Sequence, residues 1–133
     1  MKSITSISLT QSQDVVRMRT AVREAAVGQG LSLVEQTKIV TAASELARNV
    51  LDYGGGGTVD VELVSNGTRP GVRLTFVDQG PGIADVEQAL KDGYTTGGGL
   101  GLGLGGAKRL SNEFSISSAP GAGTRIVITR WRA

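Results

Sequence analysis

The chain contains no cysteine and no histidine. The first absence excludes disulfides, thiolate zinc sites and cysteine nucleophiles. The second removes Ser-His-Asp hydrolysis, histidine metal sites and any phosphohistidine relay through this chain. A general base working near neutral pH must then be Asp, Glu, Lys or Tyr. Aromatics are only 4% of residues, so the core has to be built from Val, Ile, Leu and Ala. No stretch approaches transmembrane length. Residues 1–10 alternate Ser/Thr with Ile/Leu and lack the apolar segment of a signal peptide. The expectation is a cytoplasmic protein with no membrane contact. Net charge is +2, and no basic run is interleaved with aromatics, so nucleic acid is not an expected partner.

A chain of 133 residues is expected to form one domain, residues 1–133. Its 20 glycines are in excess and clustered, which points to specific loops. Residues 3–9 read as a strand. Ser12 is placed to cap a helix over 13–27, with Val15, Met18, Val22 and Ala25 at helical spacing. Ser32 and Glu35 fit a capping box opening a second helix that runs to about Asp52. Val40, Ala43, Ala47 and Val50 or Leu51 mark its buried face. Gly54 to Gly57 stop it. Val59, Val61 and Leu63 alternate, as do Val72, Leu74 and Phe76. Asn66-Gly67 signals a hairpin whose loop is expected to extend through Pro70. Val86, Ala89 and Leu90 suggest a short helix, residues 93–106 a mobile loop, and Leu104 to Asn112 a further helix. Two last strands, around 114–118 and 126–128, meet at Pro120 to Gly123. The C-terminal one reads as a solvated edge strand with Trp131 anchored among Arg125, Arg130 and Arg132, with a protein-docking patch as the second reading. The expected fold class is an α+β two-layer sandwich, with helices on one face of a mixed, mostly antiparallel sheet.

Three features carry chemistry. Glu45 and Asn49 are four apart and share a helix face. A carboxylate and an amide oxygen suit an activated hydroxyl and Mg2+, although the pair alone also fits a plain solvated face. Asp78 stands at a strand end before Gly80-Pro81-Gly82, where a carboxylate can accept from a nucleobase amine; alone it also fits a turn. Gly97 to Gly106 offer successive backbone N–H groups for phosphate. Gly101, Gly103 and Gly106 satisfy GxGxxG, but no βαβ unit surrounds them and no Gly-Lys-Ser/Thr follows, so Rossmann, Walker A and protein-kinase loops are rejected.

Taken together, the residues resemble the GHKL (Bergerat-fold) ATP-binding superfamily across nearly the whole chain. Ser44 to Asn49 look like its asparagine box, and Asp78 to Ile83 like its first glycine box. Gly99 to Leu104 look like its ATP lid, and Gly123-Thr124 like its last box. Within the superfamily the chain is similar to bacterial switch kinases of the RsbT type and to anti-sigma factors. The string Ser44-Glu45-Leu46-Ala47-Arg48-Asn49, the approach Asp92 to Gly98, Lys108-Arg109-Leu110 and the Trp131-Arg132 end carry that likeness.

The resemblance implies ATP and Mg2+ as cofactors and the following roles. Glu45 is the general base. Asn49 binds Mg2+. Asp78 binds the adenine amine. Gly80 and Gly82 admit the base and ribose. Gly99, Gly101 and Gly103 wrap the phosphates, and Thr124 supports adenine. The implied activity is a stress-response protein serine/threonine kinase that phosphorylates STAS-domain proteins like RsbS and RsbR in a stressosome and, once released, binds and activates a PP2C-type phosphatase. A sigma factor is the partner under the anti-sigma alternative. A third alternative acts only by binding the phosphatase. A homodimer is compatible with all of these. The glycine-rich lid implies ordering that is entropically costly, hence weak or partner-dependent ATP retention.

Overall fold

The computed structural model describes residues 4–80 and 103–133. In chain order these form β1 (Ile4–Leu9), α1 (Ser12–Gly28), α2 (Leu33–Tyr53), β2 (Gly57–Asn66), β3 (Arg69–Asp78), α3 (Gly103–Arg109), β4 (Glu113–Ser118) and β5 (Thr124–Trp131). The strands make one sheet in the order β1-β2-β3-β5-β4. Every described pairing is antiparallel, so the expected sandwich stands with no parallel pair among the described strands. The segment read as a helix around Val86, Ala89 and Leu90, and residues 93–102 of the lid, lie outside the described residues.

Alternation along the strands sends one side chain in two toward the helices. Val59 and Val61, then Val72, Leu74 and Phe76, then Ile126 and Ile128 are all buried there. Met18, Val22 and Ala26 of α1, and Ile39, Ala43, Leu46, Ala47 and Val50 of α2, cover them. Leu104 and Ala107 of α3 join the same core. Leu63, expected inside, is half-buried near the hairpin end of β2.

The capping box of α2 forms as read: Ser32 Oγ accepts from Glu35 N at 3.2 Å, and Glu35 Oε1 accepts from Ser32 N at 2.8 Å. Glu35 Oε2 also accepts from Ala133 N at 2.8 Å, which ties the chain's end to the start of α2. Burial works to raise the Glu35 carboxyl, but the Ser32 and Ala133 N–H groups outweigh it and hold the group below its usual range.

Four readings need correction. Ser12 is the first helical residue of α1, not its cap. Asp14 caps instead: its Oδ2 accepts from Thr10 N at 2.9 Å and Gln11 N at 3.1 Å, and Arg17 sits on Oδ1 at 2.6 Å. A carboxylate reaching back from the first turn satisfies donors that a short Ser at residue 12 does not. The hairpin is tighter than expected. Asn66 pairs with Arg69 and Ser65 with Pro70, so only residues 67 and 68 form the loop. Gly67, at φ 61, supplies the left-handed geometry such a turn demands. In turn, β5 lies between β3 and β4 and is no edge. Trp131 is buried, its indole donating to Glu113 Oε2 at 2.8 Å and its ring lying across Gly71. The helix read over Leu104 to Asn112 instead begins at Gly103, inside the segment read as loop, and stops at Arg109.

The Asp14 cap yields a pH prediction. The Thr10 N–H and the Arg17 guanidinium hold its carboxyl well below the usual carboxylate range, against a smaller opposing effect of burial. A lowered folded-state pKa means stabilisation that is complete above the unfolded value, about 4, and fades as pH falls below it. Asp14→Asn is therefore expected to lower Tm at neutral pH, and the gap from the parent to shrink as pH falls toward about 3. Thermal melts across that range check it; a gap that stays constant with pH refutes the assignment.

Candidate nucleotide site

The site is assembled at one end of the sheet, where α2 stops. Asp78 is the last residue of β3, facing Gly57 of β2 on one side and Thr124 of β5 on the other. It falls on the helix-covered face, in the same alternation as Leu74 and Phe76. Its Oδ1 accepts from Gly80 N at 2.9 Å, a turn in which the Asp side chain binds its own backbone two residues on. Gly54 ends α2 by donating to the carbonyls of Asn49 and Val50.

Three glycines pack tightly around this strand end. A Cβ on Gly54 would stand 2.5 Å from Asp78 Cγ, and one on Gly80 would stand 2.7 Å from Gly54 Cα. A Cβ on Gly123 would overlap the Asp78 carbonyl oxygen. Three stretches of backbone thus pack so closely at this strand end that no side chain fits between them. Ser118 and Thr124 hydroxyls are 2.8 Å apart beside it, and Ser118 Oγ also donates to Gly123 O at 3.0 Å. The turn before Gly123 is of type II geometry in sequence and shape. Pro120 stands at its second position, Gly121 at φ 77 at its third, and Ala122 N donates to Ala119 O.

Glu45 and Asn49 lie on α2, half-buried, on the helix face opposite Ala43 and Ala47. Asn49 is one turn before the Gly54 end, and Glu45 one turn before Asn49. Ser44, beside them, donates to Val40 O and so is turned into the helix. No three-residue acidic metal cluster occurs among the described residues. Asn49 offers one hard oxygen, which fits Mg2+ held largely by phosphate and water. Gly103 opens α3, which packs on α2. Lys108 and Arg109 sit exposed in its last turn, where cations suit the helix dipole.

The structure therefore brings Asp78, Gly80 and Thr124 together, with Asn49 and Glu45 stepping away along α2. Gly82, Gly99 and Gly101 lie outside the described residues. Two contributors were missed in the sequence. Gly54 to Gly57 read only as a helix stop, although four consecutive glycines are more than a stop requires. Ser118 was hidden because its partner Thr124 lies across a turn. A shallow groove lined by Glu62, Arg73, Arg125 and Thr129 occupies the opposite face of the sheet and is no part of this site.

A strand-end carboxylate packed among glycines, beside a helix carrying Glu and Asn, on an antiparallel sheet covered by helices, is an α+β sandwich of the expected class. The chain belongs to the histidine kinase-, DNA gyrase B-, and HSP90-like ATPase family, which it matches over residues 34–132.

Within that family it is 40% identical to the serine/threonine-protein kinase RsbT of Bacillus subtilis, over 98% of each chain. That similarity supports a protein serine/threonine kinase. It is 27% identical to the anti-sigma F factor of a Thermoanaerobacter species, over 92% of this chain and 89% of the relative. The RsbU and RsbW domains of a Mycobacterium tuberculosis protein share its fold at TM-score 0.67 and 20% identity. That alignment covers all of this chain, which spans about a third of the solved one. The Acinetobacter baumannii histidine kinase AdeS aligns at TM-score 0.55 and 16% identity, over 96% of this chain and 66% of its own.

Proposed function

We propose that this chain is an ATP- and Mg2+-dependent protein serine/threonine kinase of a bacterial partner-switching pathway. Its acceptors are STAS-domain proteins, and once released from them it binds and activates a PP2C-type phosphatase. The observation that carries the reading is whole-length similarity to a serine/threonine kinase in a chain whose Glu45 and Asn49 lie on the helix that ends, at Gly54, against Asp78 of β3. Phosphoryl transfer needs alignment and charge neutralisation more than covalent chemistry from the protein. Bound ATP with Mg2+ would supply the phosphoryl group and the neutralising charge.

The chain's own residues have separate tasks. The Asp78 carboxylate, pinned on one oxygen by the Gly80 N–H, accepts from the adenine amine. Thr124, with its hydroxyl beside that of Ser118, supports the base from β5. Asn49 holds the metal through its amide oxygen. Glu45 accepts the proton of the incoming Ser or Thr hydroxyl at its carboxylate and orients that oxygen. Gly80 and Gly82 admit base and ribose, while Gly99, Gly101 and Gly103 gather the phosphates and exclude water. We extend the reading to one folding domain over residues 1–133 acting in the cytoplasm; among the described residues no helix is long and apolar enough to cross a membrane.

The second reading is an anti-sigma factor that sequesters a sigma subunit, favoured by the similarity to anti-sigma F factors. The deciding experiment mixes purified protein with γ-labelled ATP, Mg2+ and STAS-domain proteins from the same genome. Label is expected on a Ser or Thr of a STAS protein. ATP binding without transfer, together with co-purification of a sigma subunit, would replace the kinase reading with the second.

A further inference from the structure

We propose that the Gly54–Gly57 run is a specificity-determining element of the nucleotide site. Gly54 and Gly57 fix where Asp78 stands, and a side chain at either position removes the preference for a 6-amino purine. The inference rests on the reading of Asp78 as the adenine contact.

The argument is steric. A Cβ on Gly54 would lie 2.5 Å from Asp78 Cγ, 2.7 Å from its Cβ and 2.7 Å from Oδ2, all inside the 3.0 Å that real Cβ atoms essentially never cross. Turning the carboxylate relieves the contact with Oδ2 but not the one with Cβ. The end of β3 must therefore move. Gly80, two residues further on, packs against the same glycine, with its own Cβ direction aimed 2.7 Å from Gly54 Cα and 2.9 Å from Gly54 O, so the whole Asp78–Gly80 turn is displaced with it.

Gly57 acts on the same strand end from β2. A Cβ there would overlap the Val77 carbonyl oxygen and stand 3.1 Å from Asp78 Cα, so the β2–β3 pair would part at its last rung. Either change pulls Oδ1 away from the Gly80 N–H that orients the carboxylate. The effect is not general to glycines at helix ends. A Cβ on Gly28, at the end of α1, meets nothing within 4 Å.

The test compares ATP with purine-riboside triphosphate, which differs only in lacking the 6-amino group. Binding is read by displacement of a fluorescent nucleotide, without any acceptor protein. The parent is expected to prefer ATP by about tenfold or more, as for one hydrogen bond to a charged group. Gly54→Val and Gly57→Ala are expected to bring the ratio close to one, with purine-riboside triphosphate binding kept within about threefold of the parent. Gly28→Ala is expected to keep the parent's ratio. Near-UV circular dichroism establishes folding.

A folded Gly54→Val protein with the parent's ratio overturns the proposal, whatever Gly57→Ala does. If both variants fail to fold, the run is a folding element rather than a specificity element, and the proposal also falls. A parent that shows no preference sinks the reading of Asp78 itself, which is a different failure.

Discussion

Replacing Glu45 with Gln is expected to slow phosphoryl transfer to an acceptor protein by about 10²–10⁴-fold, the usual range for a lost general base. ATP affinity is expected to stay near the parent's, because Glu45 lies about 13 Å along α2 from the Gly54 end where the base is held. Gln keeps the size and the helix preference of Glu, so α2 is undisturbed. It cannot take a proton. Single-turnover transfer with ATP saturating separates the two quantities. A variant that binds ATP normally and transfers at the parent's rate would show that another group acts as base, and in a chain without histidine few candidates remain. The same variant divides the three activities considered above. Partner binding survives in all of them, transfer to the acceptor is lost where the chain acts as a kinase, and signalling output survives where it acts only by binding the phosphatase.

The largest expected loss of stability comes from Phe76→Ala, at about 3–5 kcal/mol. Phe76 is 1% exposed on β3, opposite Val59 of β2 and Ile126 of β5, in a chain with only two phenylalanines. Small aliphatic neighbours cannot lengthen to fill the space, so a cavity remains rather than a collapsed wall. Against a typical total of about 5–15 kcal/mol, that loss places the chain near the edge of folding. Urea denaturation measures it. The midpoint is expected to fall with little change in slope. Because Phe76 precedes Asp78 by two residues on the same face, ATP should recover part of the loss by mass action, and only at higher concentration than the parent needs. A midpoint within experimental error of the parent's would show that the β3 face repacks.

Much of the fold was legible because local signals agreed with packing. Ser32 and Glu35 announced α2 by a motif with one geometric solution. The strand alternations of Val59/Val61 and Val72/Leu74/Phe76 named the buried face directly. The turn at Pro120-Gly121 was equally plain. What escaped is what sequence distance conceals. Asp14 looked like an ordinary helix residue because its partners are backbone N–H groups, which any sequence supplies. The place of β5 inside the sheet depends on pairing with β3 across dozens of residues, so Trp131 and its arginines read as an edge.

For the site, Glu45, Asn49, Asp78 and Thr124 were named from motif order, and the structure gathers Asp78, Gly80 and Thr124 at one strand end. The part played by Gly54 was invisible, since a glycine advertises freedom of backbone and says nothing of which neighbour needs the space.

The path of α2 has a further consequence. Its 21 residues run about 31 Å, from a start tied to the chain's end through Glu35 to a finish pressed on Asp78. Both ends are fastened, so the helix works as a gauge between the place where a base is recognised and the place where a hydroxyl is activated. A helix measures in whole residues. Losing one between Glu45 and Gly54 would shorten the gauge by about 1.5 Å and swing Glu45 about 100° around the axis, toward the core. Lengthening the 67–68 hairpin, at the far end of the sheet, changes neither quantity. Tolerance to insertion is thus set in this fold less by burial than by position relative to one helix.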